Sequence, residues 1–136
     1  IHASNTSVID SGTIQVTSST EAIEGTNVTI NGGSLDLYAT DDGINASSDV
    51  TGAEIFIKVT GGDIKLEVGQ GDTDALDSNG DLIVSGGSLD ITAQFAFDFD
   101  GTAEYSGGNL TVNGETVTEI TNSMMMGGGG GRPSGR

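Results

Sequence analysis

A chain of 136 residues with 34 % hydrophobic residues, 23 Gly, one Pro and no Cys has room for one domain with a narrow core and no disulfide to reinforce it. Its net charge of −16, from 20 acidic residues against Lys58, Lys65, Arg132 and Arg136, argues against a nucleic-acid partner, because phosphate binding needs clustered cations. No apolar run approaches the roughly 20 residues of a membrane-spanning helix, so no membrane insertion is expected.

Thr, Ser, Val, Ile, Asn, Asp and Gly dominate, and helix formers are scarce, which points to an all-β protein of strands joined by tight turns. In chain order, small-Gly corners fall at Ser11-Gly12, Gly32-Gly33, Gly61-Gly62, Gly86-Gly87 and Gly107-Gly108. The second Gly recurs after 21, 29, 25 and 21 residues, a period of one coil. Before the corners stand Ile9, Ile30, Val59, Val84 and Tyr105. After them come Ile14, Leu35, Ile64, Leu89 and Leu110, then Val16, Leu37, Leu66, Ile91 and Val112. Gln15, Asp36, Lys65, Asp90 and Thr111 lie between these two sets, so apolar and polar positions alternate with period 2 and one face is buried.

Such coils are too short for propeller blades and lack leucine-rich or helical repeat patterns. A hairpin meander or sandwich turning at each Gly pair is the alternative; near-equal coil lengths and three columns in register favour a parallel β-helix, or β-solenoid, of about five coils over residues 1–120. Extra length at residues 46–52 reads as a surface loop. Residues 121–136, with Met124-Met125-Met126, five Gly and Arg132-Pro133, have no strand period and read as a tail or linker.

After each apolar pair an acidic motif recurs: Glu21-Ala22-Ile23-Glu24-Gly25, Asp41-Asp42-Gly43-Ile44-Asn45-Ala46, Asp74-Ala75-Leu76-Asp77-Ser78, and a weaker Phe97-Asp98-Phe99-Asp100-Gly101. Aligned, they place Ile23, Ile44, Leu76 and Phe99 inward. Glu24, Asn45, Asp77 and Asp100 follow, and Glu21, Asp42 and Asp74 precede. Stacked carboxylates about 5 Å apart repel by about 1 kcal/mol or more even at high dielectric. A calcium ion, which takes about 6–8 oxygen ligands, offsets this best. Asp42, Asn45, Asp74 and Asp77 form the leading ligand set, with Asp41, Asp72, Glu21, Glu24 and Asp100 as secondary candidates. Transition metals fit poorly, since His2 alone offers nitrogen and there is no thiolate. The competing reading is that these acids simply solvate turns, where Asp and Asn bond their own backbone.

Asp42-Gly43-Ile44-Asn45-Ala46, the run Ala75-Leu76-Asp77-Ser78-Asn79-Gly80-Asp81-Leu82-Ile83-Val84-Ser85-Gly86-Gly87-Ser88-Leu89-Asp90-Ile91, and the Met/Gly-rich tail resemble a known family. It is the calcium-containing carbohydrate-binding domain with a pectate-lyase-like β-helix, found on microbial surfaces. The resemblance covers roughly residues 20–115. It implies a right-handed parallel β-helix, calcium between coils, and binding of cellulose- or pectin-type polysaccharide without cleavage. Asp42, Asn45, Asp74 and Asp77 match it best. Glu21 and Glu24 stand where Asp or Asn is usual, and Phe97 interrupts the first acidic column.

Pectate-lyase chemistry needs a cationic base beside calcium. Lys58 and Lys65 both alternate outward and are expected to offset acids on neighbouring coils. No nucleophile–base–orienter set can be assembled, and the expectation is a protein that is not an enzyme. Tyr38 and Phe56 are the outward aromatics available to a polysaccharide, while Tyr105 and Phe99 fall inward. The working expectation is therefore an extracellular or cell-surface adhesion module. The second reading is a self-assembling filament subunit, a homo-oligomer stacked end to end through open β-helix ends and strapped by the tail. Sequons at Asn5, Asn27, Asn45 and Asn109 permit glycosylation.

Overall fold

The computed structural model describes residues 1–71 and 73–122. Its strands recur in the same order, coil after coil. The first coil holds β1 (Thr6–Ile9), β2 (Thr13–Val16) and β3 (Ile23–Gly25), and the second holds β4 (Asn27–Ile30), β5 (Ser34–Ala39) and β6 (Ile44–Ala46). The third holds β7 (Phe56–Val59), β8 (Asp63–Val68) and β9 (Asp74–Ser78), and the fourth β10 (Asp81–Val84), β11 (Ser88–Thr92) and β12 (Phe95–Phe99). The fifth holds β13 (Ala103–Tyr105) and β14 (Asn109–Val112), and β15 (Glu115–Thr116) follows. Every strand from β1 to β14 pairs in parallel with its counterpart in the neighbouring coil. The result is an all-β solenoid of about five turns with three sheets: β1-β4-β7-β10-β13, β2-β5-β8-β11-β14-β15 and β3-β6-β9-β12.

The columns expected from the sequence are the ladders of the first two sheets. Ile9, Ile30, Val59, Val84 and Tyr105 are in register. So are the Ile14-to-Leu110 and Val16-to-Val112 series. In β8 exposed and buried residues alternate without exception, and Leu35, Leu37, Ile64, Leu66, Leu89 and Ile91 are sealed in the core. The corner between these sheets is a stack of glycines, Gly12, Gly33, Gly62, Gly87 and Gly108, with φ of 107, 101, 98, 87 and 92°. An L side chain is strained there, which is why the corner is written in glycine.

The third sheet begins differently. Ala22-Ile23, Gly43-Ile44, Ala75-Leu76 and Ala96-Phe97 are consecutive buried pairs, so each coil bends inward at a small residue before its large one. At Gly43 a Cβ would stand 2.6 Å from the Ala75 carbonyl and 2.7 Å from Leu66 Cδ1. This tight bend fixes Asp42, the residue before it, against the next coil.

One alignment is corrected. Phe97, not Phe99, pairs with Leu76 and is 1 % exposed, while Asp98, not Asp100, pairs with Asp77. Phe99 stands opposite Ser78, and it is Phe95, beside Asp74, that ends the first acidic column. The connection into the third sheet varies in length: Val16 to Ile23 and Leu37 to Ile44 span 7 positions, Leu66 to Leu76 spans 10, and Ile91 to Phe97 spans 6. Counting forward from the Gly corner therefore loses register here.

The end after the fifth coil is also more covered than an open solenoid. β15 pairs antiparallel with β14, and Ile120 is buried. Asn113 donates to the Ala93 carbonyl and accepts its N–H, and Asn122 does the same at Phe99, so two amide side chains substitute for the backbone of a further coil. The surface loop expected at residues 46–52 occupies residues 47–55 between β6 and β7, and Ala46 is a buried member of β6. The tail from Ser123 to Arg136 lies outside the described residues.

Candidate functional site

Asp42 precedes β6, and Asp74 and Asp77 lie on β9 of the next coil, immediately either side of the Ala75-Leu76 bend. One carboxylate oxygen from each lies within 4.8 Å of the others. Asp42 is almost wholly buried and is held from both sides, its Oδ1 accepting the Asp74 N–H at 3.0 Å and its Oδ2 accepting the Asn45 amide at 3.1 Å. Burial pushes Asp77 up to about 8, helped by its hydrogen bond to Asp42 and by the charges of Asp42, Asp98 and Asp74. A carboxyl so placed keeps its proton at neutral pH unless a cation takes the proton's role.

A second group, Glu21, Asp41 and Asp42, also brings one carboxylate oxygen from each within 4.8 Å of the others, and it shares Asp42 with the first. Burial again leads in pushing Glu21 up to about 7, followed by Glu24 and Asp41. Glu24 stands in register with Asn45, hydrogen-bonds with Glu21 and has its Oε1 2.7 Å from His2 Nδ1. Asp100 belongs to neither group, and Asp72 lies outside the described residues. Three carboxylate oxygens within 4.8 Å of one another make a hard donor set of the kind calcium takes at about 2.3–2.6 Å each.

The two outward aromatics do not share a face. Phe56 is half-buried on β7 of the first sheet, between Asn27 and Asp81. Tyr38 is half-buried on β5 of the second sheet, beside Glu67 of β8. Lys65 lies between Asp36 and Asp90 as expected, but Lys58 lies between Thr29 and Ile83, so its expected acidic neighbours are absent from the ladder. Tyr38 also lines an open groove of about 590 Å³ with Glu67, Gln70, Thr92, Gln94 and Asn113.

A family model described as "carbohydrate-binding domain-containing protein" matches residues 1–126, nearly the whole chain. The chain belongs to this family. Neither the curated proteins nor the solved structures searched contain a match. Within this carbohydrate-binding domain, Asp98 is the acidic residue the sequence reading misplaced. Its signal was the small-large pair Ala96-Phe97, which repeats Ala22-Ile23 and Ala75-Leu76 and marks the bend where counting fails. No helix among the described residues of the domain is long and apolar enough to cross a membrane.

Proposed function

We propose that this chain is a non-catalytic polysaccharide-binding module, braced by calcium between its coils, that works outside the cell in surface adhesion. The family match over residues 1–126 supports carbohydrate binding. The observation that supports calcium is the convergence of Asp42, Asp74 and Asp77 from adjacent coils, which brings three hard oxygen donors within 4.8 Å of one another. In this proposal those three carboxylates are ligands. Asn45 joins them after a half-turn of its amide, which presently donates to Asp42. Glu21 and Asp41 bind on the other side of Asp42, with Glu24 and Asp72 as further oxygen donors. Calcium's contribution is charge: it replaces the proton on Asp77 and removes the repulsion between coils.

Catalysis finds little support in this arrangement. Glycosidase carboxylates flank a bond from opposite sides, whereas Asp42 is buried, accepts two protein hydrogen bonds and faces Asp77 directly. The filament reading meets β15 lying along the end it would stack upon, and its strap lies outside the described residues. Sedimentation with insoluble cellulose and with calcium-pectate gel tests the proposal. The expected result is that the protein pellets with at least one of them and releases no reducing or unsaturated sugar ends. Failure to pellet with either, or release of such ends, overturns it.

A further inference from the structure

We propose that the groove at Tyr38 is the saccharide subsite of this domain, and that it takes a neutral pyranose chain in preference to a uronate. The inference rests on the carbohydrate-binding reading above and adds a place and a ligand class to it. Tyr38, Glu67 and Thr92 stand side by side on β5, β8 and β11, one per coil, so they form a straight outward ladder about 10 Å long along the solenoid axis. The groove's volume of about 590 Å³ lies within the range of about 300–1,000 Å³ common to small-ligand sites.

The groove combines a platform with hydrogen-bonding groups. Tyr38 is half-buried, so its ring is held while one part stays open. Its hydroxyl lies over Gly69, where even a Cβ would sit only 3.6 Å from it. A pyranose presents one face of C–H groups that suits such a ring, and hydroxyls at its edges that need partners. Glu67, Gln70, Thr92 and Gln94 are exposed around the ring and supply both donors and acceptors. Gln94 is oriented by its Oε1, which accepts the Gly71 N–H at 3.3 Å, leaving the NH2 group to donate. Asn113 plays a different part. Both ends of its amide are used on Ala93, at 3.0 and 2.8 Å, so it builds the wall.

Charge selects the ligand class. Among the described residues, Glu67 is the only charged one lining the groove, and no Lys, Arg or His lines it. The nearest cation along β8, Lys65, stands between Asp36 and Asp90. None of the carboxylates of the two candidate cation groups lines the groove. A uronate would bring its own negative charge beside Glu67 with no cation among the described lining residues to offset it, whereas a neutral hydroxyl can donate to that carboxylate.

The test is titration of the full chain, in calcium-containing buffer, with cellohexaose, xylohexaose, mannohexaose and hexagalacturonate, followed by NMR of backbone and side-chain amides. The expected result is binding of at least one neutral hexasaccharide, more than tenfold tighter than hexagalacturonate, with shifts centred on Tyr38, Gln70, Thr92 and Gln94. Tyr38→Ala and Gln94→Ala should each weaken it at least tenfold, and Tyr38→Phe by less than threefold. The NMR mapping uses the unmodified chain, so a variant that fails to fold leaves the test intact. Neutral glycan binding with shifts elsewhere overturns the subsite and leaves the binding-module reading standing. Preference for hexagalacturonate at this groove overturns the ligand class. Binding of none of the four, together with failure to pellet with cellulose or pectate, removes the carbohydrate reading and this inference with it.

Discussion

Asp77 faces Asp42 across the gap between two coils, and in the metal-free protein a proton meets that proximity, because burial and the neighbouring carboxylates push Asp77 from an ordinary 3.8 to about 8. Glu21 is pushed from 4.5 to about 7 on the other side of Asp42 for the same reasons. The folded chain therefore holds both protons more tightly than the unfolded chain. Their contribution to stability is complete below about pH 4 and is lost as pH rises through 7 and 8. In EDTA, the melting temperature should fall between pH 5 and pH 9, and Asp77→Asn, which keeps the shape without the charge, should flatten much of that fall and raise the melting temperature at pH 9. In excess calcium the same variant should melt below the parent, since it gives up a charged ligand. A parent whose metal-free stability rises with pH would contradict the proton-sharing account.

The third sheet depends on how closely its coils pack at the bend, and at Gly43 that packing leaves no room for a Cβ. An alanine there must displace the Ala75 carbonyl, which belongs to the backbone of β9, as well as Leu66. Overpacking of this kind costs about 1–3 kcal/mol. Gly12→Ala is the instructive contrast: nothing lies within 4 Å of the added methyl, but φ is 107°, so the cost is backbone strain of about 1 kcal/mol. Thermal melts in calcium should show Gly43→Ala lower than Gly12→Ala by several degrees, and it alone should also weaken calcium's effect, because it displaces Asp42. Equal melting temperatures and equal calcium responses would sever the bend from the site. The same contrast explains what could be read from the sequence. The Gly corners fix residue count, so Ile14 to Leu110 and Val16 to Val112 align by position alone. The third sheet follows a connection whose length changes from coil to coil, as surface connections tolerate, and Asp98 slipped from view there. The end cover was written as Asn113-Gly114, a hairpin dipeptide whose residues take φ of 52 and 85° and turn β14 back into β15. Tyr38 was legible as outward, but its groove was not, because Gln94 and Asn113 come from later coils that only the register brings alongside.

At the scale of the whole molecule, a formal charge of −16 works against stacking, because each added coil brings further acids onto the same axis. Sodium chloride screens such repulsion diffusely over a Debye length of about 10 Å at 0.1 M, and it acts on all exposed acids alike. A divalent cation held between Asp42, Asp74 and Asp77 acts at one place, where Asp42 is buried and screening is weak. The two can therefore be told apart by concentration. EDTA should lower the melting temperature, and calcium restored to about a hundred times its dissociation constant should return about 2.7 kcal/mol, roughly 10 °C for a chain of this size. Tens of millimolar sodium chloride should return far less. Magnesium separates size from charge: its octahedron demands opposite oxygens about 4.1 Å apart in near-ideal geometry, whereas calcium accepts about 4.6–5.2 Å and the irregular geometry of ligands drawn from two coils. Reaching the shorter distance means drawing the two coils together where the Gly43 N–H already donates to the Asp74 carbonyl at 2.9 Å. Magnesium at equal concentration should thus recover less than half of calcium's gain. Full recovery by magnesium or by sodium chloride at equal ionic strength would reduce the site to a patch of repelling charge, and a melting curve indifferent to EDTA would remove the ion altogether.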